Sequence, residues 1–375
     1  MSDVLLTLNA GSSNLKYSLW HLPDLISIEQ GKIEFKPDKD LNLDAALVQL
    51  MDHIYESHGN KSVRIIGHRL VHGGTQFYEP TLLNESIEEQ IKQLIPLAPL
   101  HLPSELAAIG FIARRYPEIK QVACFDTAFH KTQNSLYQQF ALPKEYAKNG
   151  ILRYGFHGLS YEYIASVAHE CIDVQHRSRL IVAHLGNGAS MCAMSDLKSV
   201  TTTMGFTALD GLMMGTRCGE LDAGVVLYLM QYLGLNDQQI ESILYKQSGL
   251  LGVSGISSDV RELEASNDKN ASIALELFAF RAAQKLAGLI PALGGLDGIV
   301  FTGGIGENSA FIREKILFHL AWLGIQLDVN ANQNHSSAIH AANSLVGIYR
   351  IPTNEEKMLA THTYTFLSQQ IMRLS

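Results

Sequence analysis

The sequence predicts an α/β protein of two domains, and three observations carry that expectation. A chain of 375 residues exceeds the size at which a single hydrophobic core usually stops growing. Short apolar runs alternate with stretches of helical spacing, the pattern of strand and helix in turn. One device, a buried strand, an Asn/Gly turn and a second strand, occurs near the start and again near residue 180, which points to an internal duplication.

Taken in order, residues 4–8 (VLLTL) read as a buried strand and residues 9–14 as a small-residue turn. Leu15, Tyr17 and Leu19 then alternate as in a second strand. Residues 121–125 form another short apolar strand, ending in Asp126-Thr127-Ala128-Phe129-His130, and residues 159–171 have helical spacing. Leu180-Ile181-Val182-Ala183, the turn His184 to Ser190 and Met191-Cys192-Ala193-Met194 repeat the first hairpin and open the second domain. Residues 259–275 predict one helix. Residues 298–302 predict a strand broken by the turn Gly303-Gly304-Ile305-Gly306, with a helix from about Ser309. Asn354-Glu355-Glu356 has the character of a cap on a C-terminal helix. Pro37-Asp38-Lys39-Asp40 and residues 57–61 are the loop-like polar stretches, and no long linker is evident.

Composition narrows the class. Apolar residues make up 46% and charged residues 18%, which suits compact globular domains and not disorder. A formal charge of -8 argues against a nucleic-acid-binding footprint. Cys124, Cys171, Cys192 and Cys218 show no paired spacing, so neither a disulfide framework nor a zinc site is suggested. With Met1-Ser2-Asp3 offering no basic leader and no apolar run of 18 residues, a cytoplasmic protein without membrane association is expected.

Three polar or glycine turns follow apolar strands, at residues 9–14, 184–190 and 303–308, and Lys16 lies just past the first. Small residues there let backbone N–H groups approach an anion, so a nucleotide cleft is suggested, although each turn alone is equally a tight connection. Neither the P-loop nor the dinucleotide fingerprint is present. Arg69 and Arg217 each sit in otherwise apolar runs beside glycines. Either is a structural ion-pair partner of a carboxylate such as Asp126 or Asp222, or a bidentate clamp on an anionic substrate. His68 and His72 form an H-x-x-x-H, but on strand and turn and without the zincin glutamate, which argues against zinc. His157, between glycine turns and behind Tyr154 and Phe156, is a candidate donor.

With these segments in view the chain resembles the acetate kinase family, from residue 4 to about residue 362. The resemblance rests on Leu8-Asn9-Ala10-Gly11-Ser12-Ser13, Gly67-His68-Arg69, Leu97-Ala98-Pro99-Leu100-His101, Phe125-Asp126-Thr127-Ala128-Phe129-His130 and Arg153-Tyr154-Gly155-Phe156-His157-Gly158. It extends through His184-Leu185-Gly186-Asn187-Gly188-Ala189-Ser190, Gly211-Leu212-Met213-Met214-Gly215-Thr216-Arg217, residues 301–308 and Pro352-Thr353-Asn354-Glu355-Glu356. It implies two actin-like domains of the sugar kinase and Hsp70 superfamily with an interdomain active-site cleft. Residues 1–130 with the C-terminal helix 356–375 would form the first domain and residues 131–355 the second, nucleotide-binding one. A homodimer is implied, with ATP or ADP and a short-chain carboxylate as substrates.

By the same resemblance Asn9 and Glu355 look like the Mg²⁺ site, where Mn²⁺ would substitute. Asp126, His157 and Arg217 resemble the catalytic set. Arg69 resembles the carboxylate-binding arginine, with Val71, Leu100, Phe156 and Ala208 around the acid. Lys16 and Ser12 resemble phosphate contacts, and His184, Leu185, Gly186, Asn187, Gly188, Asp259, Val260, Arg261, Gly304, Ile305, Gly306, Glu307 and Asn308 resemble the nucleotide segments. The chain departs from the family at Asn14, Leu102, Leu159, Tyr161 and Ala208, where Ser, Asn, Thr, His and Pro are usual. Leu159 and Tyr161 are expected to alter the shell behind His157 and to lower turnover. The implied reaction is reversible attack of acetate on the γ-phosphoryl group of ATP, giving acetyl phosphate and ADP. The alternatives are a propionate or other short-chain acyl kinase, and a non-catalytic nucleotide-binding paralogue.

Overall fold

The computed structural model describes residues 3–36, 41–58 and 62–374, so Pro37 to Asp40 and residues 59–61 of the expected loops lie outside it; Ser57 and His58 end a helix. Two compact units are resolved. Unit 1 comprises Met1–Phe129, Gly158–Tyr163 and Asn354–Ser375, and unit 2 comprises His130–His157 and Ile164–Thr353. The start of the helix Gly158–Cys171 thus belongs with unit 1, whereas the expected boundaries put all of it in the second domain.

Unit 1 holds β1 (Asp3–Ala10), β2 (Asn14–His21), β3 (Ile26–Glu34), β4 (Ser62–Leu70), β5 (Thr81–Leu82) and β6 (Lys120–Phe125), ordered β3-β2-β1-β4-β6-β5. The first three strands form an antiparallel meander, and β4 and β6 run parallel to β1. Alternation along β1 sends successive side chains to opposite faces. Val4, Leu6 and Leu8 enter one apolar cluster with Leu47 and Ile54 of the helix Leu43–His58 and Ile112 of the helix Leu102–Arg115. Leu5 enters another with Ile65, Val122, Leu159 and Leu359. Helices therefore cover both faces. The helix Glu355–Leu374 comes so close to β4 that a Cβ on Gly67 would overlap the Thr363 hydroxyl, at 2.2 Å.

Unit 2 repeats the plan with β7 (Arg179–Leu185), β8 (Ala189–Ser195), β9 (Lys198–Thr202), β10 (Gly298–Thr302) and β11 (Gly347–Arg350), ordered β11-β10-β7-β8-β9. Again three strands form an antiparallel meander and two more run parallel to its first member. The duplication suggested by the two hairpins extends to five strands of each sheet, and this shared topology is that of two actin-like domains.

Two local expectations are corrected. Residues 259–275 are not one helix: Val260–Ala265 ends at Ser266, and Lys269–Leu293 starts afresh, with the Asp268 carboxylate accepting from the Asn270 N–H at 2.7 Å. Competition by Ser and Asp side chains for nearby N–H groups breaks the helical run and recaps it. The glycine turn after β10 is itself helical, Gly303–Asn308, because Gly303 takes a left-handed corner at φ 77° and Glu307 Oε1 accepts its N–H at 2.9 Å. The following helix, Ala310–Phe318, is capped by Ser309.

Candidate active site

In unit 1 the polar candidates stand at the C-terminal ends of the three parallel strands β1, β4 and β6. Asn9, the penultimate residue of β1, faces Lys16 across the hairpin, and Asp126 follows β6, donating its N–H to the Leu70 carbonyl at 2.9 Å. Arg69, near the end of β4, bridges them. Its Nε and Nη2 donate to the two Asp126 carboxylate oxygens at 3.1 and 2.5 Å, and Nη1 donates to Asn9 Oδ1 at a longer 3.3 Å. Asp126 is only 1% exposed and Arg69 19%. Burial by itself would lower the Arg69 pKa, but the charges of Asp126 and Glu355 outweigh it and hold the guanidinium well above its ordinary value.

Two acidic residues complete this region. Glu355 is the first residue of the C-terminal helix, whose start is capped by Asn354 Oδ1 accepting the Lys357 N–H at 2.9 Å. Glu105, unsuspected from sequence, is buried on the helix Leu102–Arg115 and accepts the Val71 N–H at 3.1 Å. Burial pushes its carboxyl pKa up to about 8, against the opposing pull of that hydrogen bond and of Arg69. The hydrophobic setting of residues 102–112 gave no sign that one glutamate would turn inward.

In unit 2 one turn organises the candidates. Gly186, Asn187 and Gly188 join β7 to β8, closed by the Gly186 N–H donating to the Gly188 carbonyl at 3.1 Å. His157 precedes the helix Gly158–Cys171 in the left-handed region, at φ 58°, a costly conformation for a residue with a Cβ. Its Nδ1 is 2.8 Å from Ser190 Oγ and its ring stacks on His184 at 4.4 Å. Arg217 donates from Nη1 to the Ala208 carbonyl at 3.0 Å. The two side chains meet over Gly188: a Cβ built there would lie 3.6 Å from His157 Nε2 and 3.7 Å from Arg217 Nη1. The same turn borders a cavity of about 580 Å³, lined by Gly186 and Asn187, by Ser258 to Arg261 with Glu264, and by Gly304, Ile305, Asn308 and Ser309. Three chain segments far apart in sequence thus share one cavity of the size that holds a small-molecule ligand.

A model of the Acetokinase family matches residues 4–361. The chain belongs to the acetokinase family. It is 46% identical to an acetate kinase of Rhodopseudomonas palustris, with 97% of this chain and 98% of that one aligned, and 41% identical to an acetate kinase of Rickettsia akari, with 98% and 100% aligned. Among solved structures, a propionate kinase from Francisella tularensis matches with a TM-score of 0.90 at 38% identity, covering 97% of this chain and all of that one. The acetate kinase of Porphyromonas gingivalis matches at 0.87 and 34% identity, covering 98% and 100%. As an acetokinase the chain is a phosphotransferase of the acetate kinase class, and such kinases use a divalent metal. Among the described residues no helix is long and apolar enough to cross a membrane.

The remaining candidates of this acetokinase fall as follows. Ser12 and Lys16 are exposed in unit 1. Gly306 and Glu307 do not line that cavity; Glu307 Oε1 accepts from Gly303 and Thr353, tying two chain segments together, and Arg313 Nη1 donates to the carbonyls of both residues. Leu185 is wholly buried. Val71 and Leu100 belong to unit 1, Phe156 and Ala208 to unit 2. Leu159 and Tyr161 are core residues of unit 1, Leu159 in the cluster with Val122 and Leu359 and Tyr161 against Phe129. Ser190 Oγ and the His184 ring flank the imidazole of His157. His68 and His72 are separately engaged, His68 Nε2 with Gln121 at 2.8 Å and His72 Nδ1 with the Gly74 N–H at 2.9 Å.

Proposed function

We propose that the chain transfers the γ-phosphoryl group of Mg²⁺-ATP reversibly to acetate, and that the observation carrying this reading is the convergence of His157 and Arg217 on Gly188, in the turn that also borders the nucleotide cavity. The cavity receives the nucleoside between residues 258–261 and 304–308. Gly188, without a side chain, lets the phosphate tail come within reach of the two donors.

An acetate carboxylate is already ionised at pH 7, so it needs no general base; the difficulty is bringing one anion to another. The protein therefore has to position the pair and neutralise charge on the equatorial oxygens. Arg69 Nη1, held by the weaker of its bonds, is the donor offered to the acetate carboxylate. Asp126 is a positioning residue that fixes the guanidinium plane through its bidentate pair. His157 Nε2 and Arg217 Nη1 donate to the phosphoryl oxygens as charge develops. Asn9 Oδ1 and the carboxylate of Glu355 are hard oxygen donors of the kind Mg²⁺ takes alongside nucleotide phosphates, and Mn²⁺ would be accepted. Held by Asn9 and Glu355, such an ion would neutralise charge on the nucleotide phosphates.

Ala208 supports a second preference within the same chemistry. Alanine where the family usually has proline removes ring atoms beside the acid, so propionate becomes a substrate within about tenfold of acetate in kcat/KM, the scale of one methylene in an apolar pocket. A homodimer is also proposed, since the helix Ala223–Gln231 and the turn after it expose Leu227, Tyr228, Met230, Tyr232 and Leu233, an apolar patch of the kind a second copy covers. Incubating the purified protein with ATP, Mg²⁺, hydroxylamine and a series of C1 to C4 acids tests the reading: acetyl and propionyl hydroxamates are expected, and none with any acid would refute it.

A further inference from the structure

We infer that Asp173, His176 and His340 of unit 2 form a binding site for one divalent transition-metal ion of the zinc class, independent of the phosphoryl-transfer site. Among the described residues this is the one group of three such side chains whose ligand atoms all lie within 4.8 Å of one another. Ligands of a tetrahedral ion with bonds of about 2.0–2.2 Å stand roughly 3.4 Å apart. The shift needed is small, and Asp173, 60% exposed, is placed to make it.

The surroundings are those of metal ligands. A ligating histidine is normally oriented by a bond to its other nitrogen. His340 Nδ1 lies 3.1 Å from the Ile348 N and 3.2 Å from its carbonyl oxygen, which holds the ring and leaves Nε2 for an ion. His176 Nδ1 lies 3.8 Å from Asp173 Oδ2, and its ring meets that of His340 edge-on at 5.3 Å. Tyr349 acts behind them: its hydroxyl donates to Asp173 Oδ2 at 3.1 Å, accepts the Asp173 N–H at 3.3 Å and sits 2.8 Å from His176 Nδ1. The His176 ring packs closely on the Gly347 backbone, where any Cβ would overlap it, which fixes the ring in place.

Two imidazoles and one carboxylate select zinc, cobalt, nickel or copper over the magnesium of nucleotide chemistry, which prefers oxygen donors throughout. The cluster also stands at the opposite end of the sheet from the nucleotide turn. His176 packs at the N-terminal starts of β10 and β11, whereas Gly186 to Gly188 and Gly303 follow the C-terminal ends of β7 and β10. A strand of this length separates the two by roughly 20 Å. The ion would tie the segment leading into β7 to the edge strand β11 and to the bridge between Ala338 and Tyr349.

The test uses the chelator-stripped protein without nucleotide, titrated with Co²⁺. One equivalent per chain with the visible absorption of low-symmetry Co²⁺ is expected, displaced by Zn²⁺, and Zn²⁺ should raise Tm. His340→Ala and Asp173→Asn should each abolish the band and the rise in Tm; the exposed Asp173 site keeps the test valid if His340→Ala fails to fold. Acyl-hydroxamate formation with Mg²⁺-ATP should stay within about twofold in Asp173→Asn, as for a surface change away from the reaction. The band should survive in Glu355→Ala and in Cys171→Ser. No band in wild type, a band that survives Asp173→Asn and His340→Ala, or a band lost with Glu355 or Cys171 would overturn the assignment.

Discussion

The two units share a five-strand plan and put their polar candidates at the same ends of equivalent strands, yet they hold their nitrogen donors by different means. In unit 1 Arg69 is locked by two bonds to a carboxylate that is almost wholly buried. In unit 2 Arg217 leans on a backbone carbonyl and His157 on a serine hydroxyl, and both flank a glycine beside the nucleotide cavity. The first arrangement fixes a binding plane. The second leaves its donors close to where a phosphate would lie. On the proposed reading, a duplicated scaffold divides holding the acceptor from stabilising the transferring group.

The largest expected effect breaks the unit 2 arrangement. Arg217→Ala should lower kcat by roughly two to four orders of magnitude, the range for removing a transition-state donor or arginine finger; steady-state rates within twofold of wild type would make Arg217 a structural residue. Arg69→Ala should act on both binding and folding, raising the acetate KM strongly and destabilising unit 1 by about 3–5 kcal/mol, because Asp126 is left charged and buried. Urea unfolding together with acetate saturation curves measures both, and an unchanged acetate KM would place the carboxylate elsewhere. Ala208→Pro should shift the propionate to acetate ratio of kcat/KM by about tenfold toward acetate, the methylene scale again; an unchanged ratio removes Ala208 from specificity.

The smallest effect sharpens the picture of unit 1. The Glu105 carboxyl is raised to about 8 in the fold from an ordinary 4.5, so between those values the folded state binds the proton that the unfolded state has lost. Stability from this group is therefore present at low pH and declines as pH rises through that window. Glu105→Gln should remove the decline and gain on wild type from about pH 5 to 8, read as urea midpoints at each pH. Parallel midpoint curves for the two proteins would show that Glu105 ionises normally.

The fold was legible where the signal was local. Both hairpins, the strands at residues 121–125 and 298–302 and the helix after Gly158 follow from alternation, apolar runs and helical spacing, and Asn354 caps as its position suggests. The breaks were not legible: Ser266 and Asp268 interrupt a helical pattern through side-chain bonds that compete with the helix, and Gly303 begins a helix where glycines suggest a turn. The three segments that the resemblance implies for the nucleotide could be named from motifs, but that each contributes residues to one cavity is a tertiary fact. Glu105, Ser190 and the partnership of His157 with Arg217 over Gly188 depend on how elements pack, which a spacing of residues along one chain does not encode. That Leu159 and Tyr161 are both buried is likewise a result of packing.

Gly188 is the point where, on the proposed reading, the nucleotide meets His157 and Arg217. Gly188→Ala introduces a methyl group at ordinary contact distance from His157 and Arg217, so the fold should be kept, but the methyl would stand where the phosphoryl oxygens must come. The decisive measurement is single-turnover phosphoryl transfer by this variant beside its ATP affinity. The account predicts ATP binding close to wild type with transfer slowed roughly a hundredfold, the cost of misplacing a reacting group by about an ångström. Transfer at the wild-type rate would contradict it.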